Sequence, residues 1–140
     1  MSIQIFSHLN WLAVIVAGVA YFALGALWYS NLLFAKPWIR MTGIKMDDPN
    51  AKKGMAQVML ASLLLMIVCC IGLGLFLDRV GPSSWMSGAK VGLIAGICFS
   101  ATAICISYLY EKRPIGLHLI NSGYNVAGCV IAGIIISVWR

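Results

Sequence analysis

Long apolar stretches alternate with short polar connections along these 140 residues. Four of the stretches each come close to the ~20 residues with which an α-helix crosses about 30 Å of hydrocarbon. They run over Leu9–Trp28, Met55–Leu77, Gly88–Tyr110 and Leu117–Trp139. The pattern predicts an all-α, polytopic membrane protein, with residues 1–140 forming one transmembrane domain built as a four-helix bundle.

The connection between the first two spans has an amphipathic pattern that predicts a short helix lying in the membrane interface. Apolar positions fall on one face and basic positions on the other: Leu33, Trp38, Met41 and Ile44 against Lys36, Arg40 and Lys45. We expect Lys36, Trp38 and Arg40 to contact lipid headgroups. Ordinary anchoring is the simpler interpretation, and lipid recognition or gating is the alternative.

Composition agrees with a membrane location. Hydrophobic residues make up 61% of the chain and charged residues 10%, more apolar surface than a soluble domain of this size could cover. The first ten residues contain no Lys or Arg. We therefore interpret the first apolar stretch as a retained span and not as a cleaved signal peptide.

The net charge of +6 is divided unequally between the two sides of the predicted bundle. The first and third connections hold Lys36, Arg40, Lys45, Lys52, Lys53, Lys112 and Arg113, whereas the other side holds Arg79, Lys90 and Arg140. The positive-inside rule then places those two connections in the cytoplasm and both termini outside. Membrane lipids are the expected partners, and nucleic acid is not, because no compact basic face stands clear of the membrane.

Aromatic residues mark the predicted span ends. All five tryptophans lie there, with Trp28 and Trp38 on the inner side together with Tyr29, Tyr108 and Tyr110. We interpret these rings as an interfacial belt, since indole and phenol groups favour the headgroup boundary.

Several kinds of chemistry are disfavoured by what the spans lack. No Asp, Glu, Lys or Arg lies in the middle of a span, which argues against proton-coupled pumping, carboxylate hydrolysis and a carboxylate metal site. His8 and His118 lie at opposite ends of the predicted bundle, too far apart to hold a haem together. The five cysteines all fall within spans and are interpreted as small apolar filler. We expect no metal and no cofactor.

Small residues recur every four positions along the third span, at Gly88, Gly92, Gly96 and Ser100. Such a groove lets another helix approach closely, which is a main source of helix association in lipid. The pattern leaves open whether the partner helix belongs to the same chain or to another copy. We expect self-association through this face.

Certain motifs resemble an uncharacterised family of small bacterial integral-membrane proteins, a domain-of-unknown-function group. They are Asn10-Trp11, GALWYS at 25–30, LFAKPW at 33–38, His118, Asn121, Gly123 and the Trp139-Arg140 end. Asn31 stands where the family usually has Pro. The resemblance covers essentially the whole chain and implies a four-span bundle in the bacterial inner membrane, without implying a substrate.

A polar stripe runs along the fourth span. His118, Asn121, Ser122, Asn125 and Cys129 share one helical face, which must point into the protein or into water. On the first span, Tyr21 and Trp28 share a face, and Tyr21 reaches the depth of Asn125. With Ser62 and Thr102 at a similar level, we expect a polar layer in the inner half of the bilayer.

Two interpretations of the layer remain open. In one, these groups bond to each other and stabilise the bundle at ~0.6 to 2 kcal/mol per bond. In the other, they line a cavity open to the cytoplasm, with His118 at its mouth able to titrate near neutral pH and to bind an anion beside Lys112 and Arg113.

Three classes of function follow. We favour small-solute or ion binding or passage by a homo-oligomer, with His118, Asn121, Ser122, Asn125, Tyr21 and Trp28 as the binding candidates. A complete pore within one chain is not expected, because the stripe gives way to isoleucines beyond Cys129. The alternatives are a structural or accessory protein without its own ligand, and a membrane-embedded enzyme. The enzyme is less favoured, since its single candidate pair, His118 with Ser122, lacks an orienting acid.

Overall fold

Every regular secondary-structure element in the part of the chain that the structure describes is a helix. A computed structural model describes residues 3–50, 52–81 and 84–139. After a short 3-10 turn at Ile3–Phe6 come α1 (Trp11–Trp28), α2 (Ala35–Thr42) and α3 (Met55–Val80). The third span consists of α4 (Trp85–Ala95), a π-helical segment (Gly96–Ala101) and α5 (Thr102–Tyr110), and α6 (Ile115–Val138) completes the bundle.

Four helices are long and apolar enough to cross a membrane, which confirms the predicted fold class. They are Trp11–Trp28, Met55–Val80, Trp85–Tyr110 and Ile115–Val138. The ends lie within three residues of those expected from the sequence. The amphipathic connection forms α2, whose Met41 packs beside Gly116 at the start of α6. Arg140, which entered the charge comparison, lies outside the described residues.

Polar caps hold the ends of α1 and of the third span close to α6. The side chain of Asn10 accepts a bond from the Ala13 amide at 3.2 Å and donates to the Trp139 carbonyl at 2.6 Å. Ser84 caps α4 by accepting from the Ser87 amide, while its carbonyl accepts from the Ser137 hydroxyl at 2.8 Å. The N-terminal ends of α1 and α4 and the C-terminal end of α6 therefore lie at the same side of the bundle.

The core is centred on α6, which contacts α1, α3, α4 and the π-helical segment. Apolar and aromatic residues from three spans form it: Val14, Ala17, Tyr21, Cys70, Leu73, Leu77, Tyr124, Cys129, Ala132 and Ile136. Burying α6 on so many sides explains why its polar positions face protein and not lipid.

The small-residue face of the third span packs against α6 of the same chain. A Cβ atom at Gly88 would overlap the backbone of Gly133, and one at Gly92 would overlap that of Cys129. A Cβ at Gly96 would lie 2.7 Å from Val126 Cα. Because this groove is filled within the chain, the expected self-association through it is wrong, and any contact between copies must use another surface.

The helix α3 is packed along only part of its length. Its second half contributes Cys70, Leu73 and Leu77 to the core, whereas every residue from 55 to 61 is exposed. The first half of α3 is consequently the part of this helix that the rest of the bundle leaves uncovered.

Candidate functional site

The predicted contact between the first and fourth spans is present at mid-bundle. The Tyr21 hydroxyl donates to Asn125 Oδ1 at 2.5 Å. Asn125 Nδ2 in turn donates to the Asn121 carbonyl at 2.8 Å, one turn earlier on α6. Tyr21 is 2% exposed, and its ring fits against Gly128, where any Cβ would overlap it. Tyr21 and Asn125, which the sequence placed at the same depth in the membrane, thus form a direct hydrogen bond.

Asn121 connects three elements. The Tyr29 hydroxyl, just after α1, donates to Asn121 Oδ1 at 2.5 Å, and Asn121 Nδ2 donates to the Tyr108 hydroxyl of α5 at 2.6 Å. Burial raises the pKa of the Tyr29 phenol above its usual value, and the neighbouring Tyr108 phenol adds to the shift. Tyr29 therefore stays protonated and remains a donor at ordinary pH.

Along the α1–α6 interface, aromatic rings of one helix pack against glycines of the other. The Trp28 indole donates to the Ile120 carbonyl at 3.0 Å and lies beside Gly123. The Tyr124 hydroxyl donates to the Tyr21 carbonyl at 3.0 Å. The end of the Tyr124 ring packs against Gly25, in space that a Cβ atom there would occupy. Because glycine leaves room for each ring, the two helices are joined by rings and hydrogen bonds together.

His118 does not stand at an open mouth, which corrects the expectation of a histidine accessible from the cytoplasm. It is 5% exposed, and its ring meets the edge of the Tyr108 ring with centroids 5.4 Å apart. Ser122 lies with its Oγ 3.5 Å from Cys105 Sγ and pairs there rather than with His118. The histidine and serine that the enzyme interpretation required are therefore not a catalytic pair.

The two short hydroxyls of the expected polar layer turn to their own helices. Ser62 donates to the Val58 carbonyl at 2.8 Å and Thr102 donates to the Cys98 carbonyl at 2.7 Å. Thr102 is exposed on the outer surface of the third span, so its place in the layer was wrong. Ser62 still lines a cavity beside α3. Short side chains that satisfy themselves locally need no partner at matching depth.

A polar cavity of about 330 Å³ lies between α3 and α6. Its walls carry Tyr21, Ser62, Cys69, Ser100 and Asn125, together with Leu65 and Met66. Ser100 reaches it from the π-helical segment, whose wider turn points the hydroxyl at α6, with Oγ 3.9 Å from Cys129 Sγ. Each of the four spans contributes a polar group to this cavity: Tyr21, Ser62, Ser100 and Asn125.

A second, larger crevice of about 550 Å³ lies between α1 and the first half of α3. Its lining is mainly methionine and aromatic, and it includes Ser62 and Met66, which also border the polar cavity. The two spaces are therefore neighbours separated by one face of α3.

The basic helix α2 meets the bundle through its aromatic residue. Trp38 lies against Tyr29 with ring centroids 5.5 Å apart, while Lys36 and Arg40 are exposed one helical turn from each other. Two positive charges thus face outward from a helix that is itself held against the bundle.

The described residues contain no cluster of three or more His, Cys, Asp or Glu that could hold a metal ion. Cysteines nevertheless converge at mid-bundle, where Cys69 of α3 and Cys129 of α6 line the same small cavity. All five cysteines are free.

The sequence did not single out Tyr29, Tyr108 or Tyr124 as site residues. Their signal was present, since each falls near a span end or within the fourth span, but Tyr29 and Tyr108 were interpreted as interfacial anchors. The structure turns both hydroxyls inward to Asn121. An amide inside a span needs several partners, and nearby tyrosines are the side chains able to supply them.

Residues 12–137 match the family described as "Protein of unknown function (DUF1761)". The match covers most of the chain, so this protein belongs to that family, and the resemblance noted in the sequence is confirmed. It is a multi-pass membrane protein with four spans. Neither a curated protein nor a solved structure matches the chain.

Proposed function

We propose that this DUF1761 protein binds a small, uncharged, hydrogen-bonding solute within the membrane, in the cavity between α3 and α6. The observation that carries the proposal is a polar cavity of about 330 Å³ bordered by Tyr21, Ser62, Ser100 and Asn125. At ~30 Å³ for each water, the space holds roughly ten waters or one small organic molecule. Hydroxyls and an amide at the middle of the spans provide donors and acceptors where lipid provides none.

The lining favours an uncharged solute over an ion. Among the described residues that border the cavity, none carries a formal charge. An ion at this depth would lose its hydration without meeting a counter-charge, which costs several kcal/mol or more. Of the two ligand classes that the sequence left open, the neutral solute therefore has the better support.

Passage of the solute across the membrane would require more than a single chain in the conformation of this structure. The polar stripe of α6 ends at Cys129, and Ile131, Ile134 and Ile135 continue the helix. We propose that a homo-oligomer completes the site, because the cavity borders α3 and the third span, whose outer faces are exposed and apolar at Leu65 and Phe99. A second copy would shield polar groups that hydrocarbon cannot bond.

Solute passage and binding are tested with two named probes. Proteoliposomes containing the protein are swollen in glycerol or urea gradients, and binding of the same solutes is measured by saturation-transfer NMR in nanodiscs. Asn125→Leu and Ser100→Ala should each reduce the NMR signal several-fold. Thr102→Val is the matched control, since this hydroxyl is exposed and bonds its own helix. Equal signals for Asn125→Leu and the unaltered chain would refute the proposed site.

The oligomer is tested with a native cysteine. Cys98 is exposed on the third span, so a bifunctional maleimide should join two copies there in membranes. As a control, Leu12→Cys in a Cys98→Ser background places the thiol on the exposed face of α1. Cross-linking at position 12 but not at 98 would contradict an interface that covers the cavity.

A structural role is the second candidate, and a specific observation favours it. Asn121 and Asn125 already use their side-chain groups in hydrogen bonds within the chain. Such a network holds α1, α5 and α6 together without a ligand. If Asn125→Leu lowers stability and leaves solute binding unchanged, the structural role is the better description.

We also propose a location in the bacterial inner membrane with both termini outside, on the basis of the unequal distribution of Lys and Arg. Fusion of alkaline phosphatase or green fluorescent protein after residue 140 distinguishes the two orientations. Phosphatase activity without fluorescence is the expected result, and fluorescence would reverse the orientation.

A further inference from the structure

A crevice lies between α1 and the unpacked first half of α3, beside the proposed solute site, with which it shares Ser62 and Met66. It measures about 550 Å³. Phe22, Ala26 and Tyr29 border it on one side, and Met55, Met59 and Met66 on the other. Its walls are apolar and, through the methionines, adaptable in shape.

The crevice has the proportions of a hydrocarbon chain. It follows α3 from Met55 to Met66, a rise of about 16 Å at 1.5 Å per residue. Spread over that length, its volume gives a mean cross-section of roughly 35 Å², less than half of the roughly 80 Å² of a helix ~10 Å across. A single hydrocarbon chain therefore suits this narrow crevice better than a helix from a second copy does.

Positive charge stands at one end of the crevice. Lys52 and Lys53 immediately precede Gly54 and Met55, where α3 begins, and both lysines are exposed. The nearest acidic group along the chain, Asp48, bonds locally to the Asn50 amide at 2.9 Å. Two lysines at the end of a membrane-spanning helix lie where lipid phosphates lie.

We propose that this crevice binds one acyl chain of an anionic phospholipid whose phosphate is held by Lys52 and Lys53. The small side chain of Ala26 leaves room on the α1 wall for the acyl chain to lie against the helix. This lipid site is independent of the solute proposal, since its charged end and most of its lining lie outside the polar cavity. It also differs from headgroup contact by α2, which involves Lys36 and Arg40.

Native mass spectrometry from nanodiscs of equal parts phosphatidylglycerol and phosphatidylcholine tests the acyl-chain end. The unaltered protein should retain one phosphatidylglycerol. Ala26→Phe fills the crevice and should reduce this retention at least about fivefold. Ala23→Phe is the matched control, because Ala23 is also an exposed alanine of α1 but does not border the crevice. Spin-labelled phosphatidylglycerol, read as its motionally restricted fraction, gives a second measurement if Ala26→Phe unfolds in the gas phase.

Charge substitutions test the phosphate end. The double variant Lys52→Gln/Lys53→Gln should bring retention of the two lipids to near parity, whereas Lys36→Gln/Arg40→Gln should leave the preference unchanged. Asn125→Leu should also keep the lipid, so failure of the solute site and failure of the lipid site are distinguishable. The proposal is overturned if Ala26→Phe retains as much phosphatidylglycerol as Ala23→Phe, if the α2 variant alone removes the preference, or if Met59→Cys cross-links to a second copy.

Discussion

The helices α1 and α3 both pack against α6, but they do so by different means. At the α1–α6 interface, Tyr21 and Trp28 fit against glycines of α6 and also form hydrogen bonds. At the α3–α6 interface, apolar contacts hold the second half of α3, while the first half borders cavities. The comparison teaches that rings and hydrogen bonds join α1 to α6 along much of the interface, whereas the first half of α3 lacks such contacts and is expected to open more readily.

Glycine substitutions give the largest expected difference between the two interfaces. Gly128→Leu should destabilise the protein by about 3 kcal/mol, because any side chain there overlaps the Tyr21 ring. Gly72→Leu on α3 is the matched control, since nothing lies within 4 Å of a Cβ at that position. Unfolding in mixed micelles measures both. Similar losses at the two positions would show that the interfaces do not differ in this way.

Removing the central amide should have the next largest effect. Asn121→Leu leaves the Tyr29 and Tyr108 hydroxyls without their partner, at a cost of about 2 kcal/mol. Ser62→Ala on α3 should cost less than about 0.5 kcal/mol, because that hydroxyl bonds its own helix. Thermal unfolding in detergent compares the two variants, and a larger loss for Ser62→Ala would contradict the assignment of the network to the α1–α6 side.

Amide hydrogen exchange sharpens the comparison without substitution. The amides of residues 58–66 in α3 should exchange about tenfold faster than those of 14–22 in α1, a difference of ~1.4 kcal/mol in opening free energy. The reason is that residues 55–61 are all exposed, whereas Val14, Ala17 and Tyr21 are buried. Equal protection in nanodiscs would mean that lipid or a second copy holds α3 as firmly as protein holds α1.

A double-mutant cycle measures the smallest effect, a single hydrogen bond. Tyr21→Phe and Asn125→Leu should show a coupling of about 0.6 to 1.7 kcal/mol, which are the average and the largest values for hydrogen bonds between membrane helices. Tyr21→Phe with Thr102→Val is the uncoupled control, because Thr102 faces outward. Coupling near zero for the first pair would show that lipid or water replaces this bond at little cost.

The sequence predicted the spans and the inward direction of two amides of α6. Asn121 and Asn125 were expected to face inward because amides are costly in hydrocarbon, and both do. Tyr29 and Tyr108 could not be assigned in the same way. A tyrosine near a span end serves equally well in the interfacial belt or in an internal bond, and only the packing of α5 and α6 turned these two inward.

Residues expected at the same depth in the membrane form a contact in one case and not in another. Tyr21 and Asn125 met because the Tyr21 hydroxyl lies beyond the reach of its own backbone, and because the Asn125 amide still has an oxygen to offer after its nitrogen bonds the Asn121 carbonyl. Ser62 and Thr102 lie at similar depth, but their short hydroxyls bond one turn back on the same helix. Depth alone therefore predicts a contact only for side chains that cannot satisfy themselves locally.

What the sequence by itself determined is the set of four spans, the amphipathic α2 and the inward direction of the polar face of α6. These follow from the cost of placing polar groups in hydrocarbon, which acts on each segment separately. Tertiary structure decided that the glycine face of the third span is covered by α6 of the same chain, that His118 is buried, and that cavities lie beside α3. Those outcomes depend on how helices compete for the same partner surface, and that competition depends on the shapes of all four helices together.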